Sequence, residues 1–505
     1  MIAGGLLEEL SRARPGKRVT VSRQSAAEAD GVSFAIVEID TERKLGISGP
    51  GGAAAGFEVE QDFRAGSEVL SLCPLIHANA ERLRRIFPHA APSPLARKAG
   101  SAGAPGITFG VGDRLGLAGP GHIRAFRRYA ASPVLAQQSV RELTLTNRTF
   151  EDVLDSSTWA VFQEGMREPW GADADHLKTA DWVRKALSVG YTMITADVSD
   201  AIHGEHASTP ASKVRSAYAE LDPAYRAEVE GRYLGRSFPL ESGKAVRFAE
   251  VAFKKTVLVY REAIELAARL YAAAAETVAE TRFDFELSID ETATPTTPQA
   301  HLFAALEAKR RGVTLSSVAP RFPGEFQKAI DYIGTVEDFR TSFATHAAIA
   351  RSLGHRISVH SGSDKFSVFP SIGELAKGAF HIKTAGTNWL EALRIIATID
   401  PVLFRELYAR ALERYAEARK LYHVTPDLSG LPQPAELSQE NAVKLLDDVH
   451  ARRLLHITYG EMLCVPQLRE SLFRVLGANL PAYWAALDAH IGRHLSLLGA
   501  PEPHA

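Results

Sequence analysis

Three short runs carry side chains suited to metal or proton chemistry. In FDFELSIDET, residues 283 to 292, the apolar residues Phe283, Phe285, Leu287 and Ile289 take every second position. Asp284, Glu286, Ser288 and Asp290 take the other face, and Glu291 follows. In RISVHSGSDKF, Ile357 and Val359 oppose His360, with Asp364 and Lys365 just beyond; in AFHIKTAG, Phe380 and Ile382 oppose His381 and Lys383. A period of two is that of a strand with unlike faces. If the apolar faces meet outer helices, the polar faces converge, and Glu286, His360 and His381 become two imidazoles and a carboxylate. Such a set binds a divalent cation (Zn, Mn, Co, Ni or Fe) and leaves coordination positions for substrate. A lone histidine is more often a core residue bonded to backbone, but two on adjacent strands facing acids favour ligation. Asp290 and Glu291 could instead cap the helix that begins near TPQAHLF. Mid-strand Glu286 needs a cation or a donor if it is buried.

The same rhythm recurs along the chain. Further strand-like runs are ITFGVG (107), VLAQQSV (134), WAVFQEG (159), YTMITADV (191), GVTLSSVAP (312) and LLHITYG (454), separated in many places by helical patterns such as AHLFAALEAKRRG and NWLEALRIIATI. Strand-then-helix order implies parallel packing, and roughly eight units imply an α/β fold of the (β/α)8 TIM-like barrel type, with an open doubly wound sheet as the alternative. Residues 1–105 read as a small β-rich module with runs RVTVS, VSFAIVEID and FEVEQDF, ending in an Ala/Pro/Gly-rich linker at 91–106. Residues 106–505 form the barrel, with a helical insertion near 198–280 and a helical C-terminal extension. Catalytic groups of such barrels sit at the C-terminal strand ends. Those positions hold Asp113, Gln137, Gln138, Asp197, Ser288, Asp290, Glu291, Asp364, Lys365, Lys383 and His456 besides the proposed ligands.

Composition excludes several classes. The 58 basic and 60 acidic residues nearly balance and build no basic stripe, so nucleic acid is not an expected partner. No apolar run of about 18 residues suggests a membrane span, and the acidic pair in MIAGGLLEEL argues against a signal peptide. Two distant cysteines, Cys73 and Cys464, fit a reducing cytoplasm. A homo-oligomer is compatible with the sequence. GVGDRLGLAGPG has one residue too many for a dinucleotide fingerprint. Its glycines suggest close backbone approach to a small substrate, and Gly119 to Gly121 suggest a helix N-terminus open to an anion. HGEHAST, with His203 and His206, reads as a loop. No nucleophile elbow is present, and ITFGVGDRLG lacks the His-x-His of an amidohydrolase.

Taken together, FELSIDETATPTTPQAHLFAALE, SSVAPRFPGEFQKAIDYIG, HRISVHSGSDKFSVFP and FHIKTAGTNWLEALR resemble the tagaturonate epimerases, metal-dependent enzymes of bacterial hexuronate catabolism. The resemblance spans about 107 to 460. It implies a keto-uronate substrate, with D-tagaturonate and D-fructuronate interconverted, and related members acting on the ketohexoses fructose and tagatose. The inverted carbon lies β to the ketone, where α-proton abstraction cannot reach directly, so retro-aldol cleavage is one mechanism, with enediol migration followed by deprotonation, or transient oxidation, as the alternatives. On that basis Glu286, His360 and His381 hold the metal, and Asp113, Asp197, Asp290 and Glu291 are the candidates for proton transfer. Lys365 and Lys383 hold the carboxylate or polarise the ketone, with Gln138, Ser288 and Asp364 as further substrate contacts. A sugar-acid aldolase and a non-catalytic carbohydrate-binding barrel are the alternatives.

Overall fold

The computed structural model describes residues 4–96 and 106–502, so 97–105, most of the expected linker, lie outside the described residues. Six strands come first: β1 Val19–Val21, β2 Ala27–Ala29, β3 Val32–Ile39, β4 Glu42–Pro50, β5 Gln61–Ala65 and β6 Glu68–Cys73. They form an antiparallel sheet in the order β1-β3-β4-β6-β5, with β2 on β3. Alternation in β3 serves two faces. Ala35 and Val37 pack with Leu10 of the helix Gly4–Ala13, while Phe34 and Ile36 pack with Trp159 and Phe162 of the helix Phe150–Glu164.

The barrel follows. Its strands are β7 Thr108–Val111, β8 Ser132–Ser139, β9 Gly171–Leu177 and β10 Met193–Asp197; then, after a hairpin of β11 Ser237–Pro239 and β12 Ala245–Arg247, come β13 Asp284–Ile289, β14 Ser317–Pro320, β15 Arg356–Val359 and β16 Phe380–Thr384. All eight barrel strands are parallel and close in chain order, β16 pairing with β7. This is the (β/α)8 architecture expected from the sequence. Phe285, Leu287 and Ile289 of β13 join the outer apolar core, and Phe285 meets Tyr271 of the 28-residue helix Glu250–Thr277 edge to face. That helix, with shorter helices and the β11–β12 hairpin, fills the long connection between β10 and β13.

Two expected strands are helices. WAVFQEG belongs to the helix Phe150–Glu164, capped by Thr149 with Asp152 and closed by left-handed Gly165. The helix is squeezed between barrel and N-terminal sheet and buried on nearly every side, which erases the helical period from its sequence. LLHITYG runs from the helix Val449–Ile457, capped by Asp448, through Thr458 into the helix Tyr459–Leu463. The barrel strand absent from the expected set is β9, GADADHL, which alternates alanine with aspartate and has no β-branched or aromatic residue to mark it.

Candidate functional site

Lys383 forms the floor of the barrel mouth. Its Nζ lies 2.7 Å from Asp173 Oδ2, 2.7 Å from Asp175 Oδ1 and 2.9 Å from Glu286 Oε1, and it also bonds Thr195 Oγ1. One buried cation thus faces three buried carboxylates. Burial would discharge the ammonium, but the three acids hold its pKa well above the usual lysine range. Burial likewise opposes ionisation of Glu286, yet Lys383 and His360 keep its carboxyl well below the usual range. Asp173 is pushed up to about 6 by burial, against the pull of Lys383 and with the push of Asp175 and Glu286.

Above this floor, two carboxylates orient two imidazoles. At the end of β9, Asp175 and His176 together oppose the single residue Thr195, a bulge in which His176 takes φ 58°. Asp175 Oδ1 holds His176 Nδ1 at 2.7 Å, which leaves Nε2 facing outward, 3.9 Å from Glu291. Across the mouth, Glu286 Oε1 holds His360 Nε2 at 2.7 Å and leaves Nδ1 3.2 Å from Asp290 Oδ1, without hydrogen-bond geometry. Ser288 donates to Asp290 at 2.6 Å and fixes that carboxylate. Burial lowers the affinity of His360 for a proton, but Asp290 and Glu286 outweigh it and raise the pKa to about 10.

The histidine rings lie 5.0 Å apart, and one ligand atom from each of His176, Asp290 and His360 falls within 4.8 Å of the others. A carboxylate behind each imidazole is the arrangement that fixes ring orientation at metal centres. These three residues therefore fit a divalent cation.

Of the expected ligands, only His360 belongs to that trio. Glu286 stands behind His360, where it orients the ring, and is not part of the converging group. His381 lies two residues before Lys383 on β16, about 6.6 Å deeper at 3.3 Å per residue. There its Nδ1 meets Thr108 Oγ1 at 2.9 Å, and burial lowers its pKa to about 3.

Other expected residues are also placed elsewhere. The Asp113 carboxylate accepts backbone N–H bonds from Leu115, Gly116 and Ala118 at 2.7 to 3.0 Å, so the anion at the start of the helix Gly119–Phe126 is the chain's own. Gly110 makes room for Gln137, whose Oε1 would lie 1.6 Å from an added Cβ, and not for substrate. Gln138 accepts from Arg148. Asp197 accepts from Ser199 N–H at 2.9 Å and faces Lys178 at 3.8 Å. Lys365 is buried and donates to the carbonyls of Gln327, Ile330 and Ser363, with its pKa lowered to about 7 by burial.

Asp364 pairs with Arg452 at 2.8 Å and lies 3.1 Å from His490. With His494 these form a second acid and histidine cluster. There His494 Nε2 accepts from Asp364 N–H and Nδ1 donates to the His490 carbonyl, so both ring nitrogens are occupied. His203 pairs with Glu262 away from the mouth, whereas His456 reaches the inner chamber from its helix.

The mouth opens into a cavity of about 330 Å³ continuous with an inner chamber of about 90 Å³. Asp290, Glu291 and His360 line both, and Lys383 lines only the inner one. Arg141, Lys328, Arg321 and Tyr422 also line the outer cavity; sequence reading passed over them because they lie on loops and helices, where no alternation marks them.

Known proteins share this architecture. Residues 22–498 match the UxaE family, described as tagaturonate epimerase. The chain is 39% identical over 484 residues to the tagaturonate/fructuronate epimerase of Thermotoga maritima, covering 96% of this chain and 98% of that one. The glycerol-bound crystal structure of fructuronate-tagaturonate epimerase UxaE from Cohnella laeviribosi superposes with a TM-score of 0.91 at 42% identity, over 98% of this chain and 99% of that one. The native crystal structure of the same enzyme gives 0.91 at 41% identity, over 98% and 100%.

Proposed function

The chain belongs to the tagaturonate epimerase family, and we propose that its barrel mouth interconverts D-tagaturonate and D-fructuronate by inverting the carbon β to the ketone. The observation that carries the chemistry is the pair of imidazoles, His176 and His360, each held by a buried carboxylate and facing Asp290 across one cavity. We further propose that His176, Asp290 and His360 hold a divalent cation. When bound, it supplies Lewis-acid stabilisation of negative charge developing on the ketone side of the substrate.

The chain's own groups supply the proton chemistry. Glu291, on the cavity wall beside His176, takes the proton of the hydroxyl on the β carbon. The O–H electrons become the aldehyde C=O, and the electrons of the bond between the α and β carbons pass to the ketone fragment as an enediolate. The aldehyde turns over within the cavity, the bond re-forms on its other face, and Glu291 returns the proton. Atoms and charge balance with no external oxidant. Asp173, Asp175, Glu286 and Lys383 do not touch the reacting atoms; they hold His176 and His360 in place. The free thiols Cys73 and Cys464 support a reducing cytoplasm as the compartment.

The test is conversion of D-tagaturonate in D2O followed by NMR. D-fructuronate should accumulate with no deuterium at the inverted carbon, because the C–H bond there is never broken. Deuterium at that carbon would rule out bond cleavage in favour of deprotonation. No product with any divalent metal would overturn the proposed activity.

A further inference from the structure

The cavity walls carry both signs of charge. Asp290 and Glu291 line the inner chamber together with the two imidazoles. Arg141 and Lys328 line both chambers, and Arg321 lines the outer one. Among the described residues none of these three cations has a carboxylate partner. The guanidinium of Arg141 rests over the Tyr422 ring, 4.5 Å from its centroid, and donates to the Leu421 carbonyl at 3.1 Å. Lys328 Nζ donates to Ser361 Oγ at 2.8 Å, and Arg321 donates to the Thr292 carbonyl. Ser361 holds φ 50°, a conformation unfavourable for a residue with a Cβ, directly after His360.

Elsewhere in the site, buried charge is matched closely, as Lys383 and Arg114 show with their acids. Among the described residues lining the two chambers, Arg141, Lys328 and Arg321 are the cations without such a match. Burial and the nearby Arg141 lower the pKa of Lys328, against the pull of Glu142 and Asp175.

The geometry points to Arg141 and Lys328 as the seat of the substrate carboxylate, with Arg321 as a flanking cation, so that this pair selects a sugar acid over the neutral ketose. The inference rests on the proposed epimerase activity and deepens it. Anchored there, the carboxylate end directs the rest of the sugar toward His176, Asp290 and His360. The guanidinium presents a planar fork to the two oxygens, and the ammonium adds a point charge. This pair takes over the role expected of Lys365 and Lys383, whose ammonium groups are already spent on carbonyls and buried acids.

Two readouts test it. In the first, Lys328→Met and Arg141→Met each raise KM for D-tagaturonate 10- to 100-fold with a smaller fall in kcat, Lys328→Arg restores KM to within about threefold, and melting temperatures stay close to that of the parent. The second measures thermal stabilisation by D-galacturonate, a uronate with no ketone to react, against D-galactose. The parent enzyme should respond to the acid only, and both Met variants should lose the response. Parallel collapse of kcat, or equal KM in parent and variants, would overturn the assignment. So would stabilisation by both sugars alike. If the parent converts D-tagaturonate but ignores D-galacturonate, the anion seat falls and the activity stands; if it binds D-galacturonate but converts nothing, the reverse holds.

Discussion

Lys383 holds three buried acids together at the floor of the barrel mouth. Removing its charge leaves Asp173, Asp175 and Glu286 buried together with no cation, and breaking such a group by deleting one partner costs about 3–5 kcal/mol. Lys383→Met should therefore unfold at distinctly lower denaturant as well as lose activity, whereas Glu291→Gln, half-exposed at the cavity wall, should lose turnover with its melting temperature nearly unchanged. Chemical denaturation of both variants beside the parent separates the roles, and equal stability losses would remove the distinction. Asp113 gives the opposite contrast. Its carboxylate accepts three loop N–H groups, so Asp113→Ala should cost about 1–3 kcal/mol of stability while kcat per folded molecule is retained. A hundredfold fall in kcat at unchanged stability would return Asp113 to the chemistry.

At the scale of the element, what sequence discloses depends on whether a strand's two faces differ. β13, β15 and β16 each set bulky apolar residues toward the helices and polar residues inward, so the strands and the inward direction of Glu286, His360 and Lys383 were legible. β9 makes the same alternation with alanine, and with it Asp173, Asp175 and His176 went unseen. Depth along a strand is equally silent. His381 and Lys383 share a face, and only the register of β16 against β7, which pairs His381 with Thr108, shows that the histidine lies a layer below the mouth. The bulge that turns His176 toward His360 is a property of pairing between strands, which no single run of residues displays. Since the bulge places two β9 residues opposite Thr195, deleting His176 should restore regular pairing, with Asp175 alone opposite Thr195 and the imidazole gone. A His176 deletion should then lose bound metal while far-ultraviolet circular dichroism still reports an intact barrel; metal retained at the parent level would contradict that view.

The whole molecule carries an unusual stock of buried neutral histidine. His301, His346 and His355 form a chain of three imidazoles with N···N distances of 3.0 Å, ending on the Thr296 carbonyl. Burial pushes His346 down to about 4 and His355 to about 3, and His301 well below the usual range. His122 at about 4 and His494 at about 3 behave alike. A folded pKa below the unfolded value of about 6.5 means that the unfolded chain binds more protons below that pH. Stability from these groups is thus whole above pH about 6.5 and falls by about 1.4 kcal/mol per pH unit for each group as pH drops toward the folded values. Melting temperature should decline steeply between pH 6.5 and 5, and His355→Gln should flatten that slope; a flat profile in the parent enzyme would contradict the assignment of neutral imidazoles.

His176, Asp290 and His360, oriented by the carboxylates behind them, are the proposed working centre of the epimerase. The most direct measurement is metal content together with the D-tagaturonate to D-fructuronate rate, taken side by side on the parent enzyme, His176→Ala and His381→Ala. One divalent metal per chain and turnover are expected in the parent, both lost in His176→Ala, with metal retained in His381→Ala. Full metal and full rate in His176→Ala, or metal lost only in His381→Ala, would contradict it.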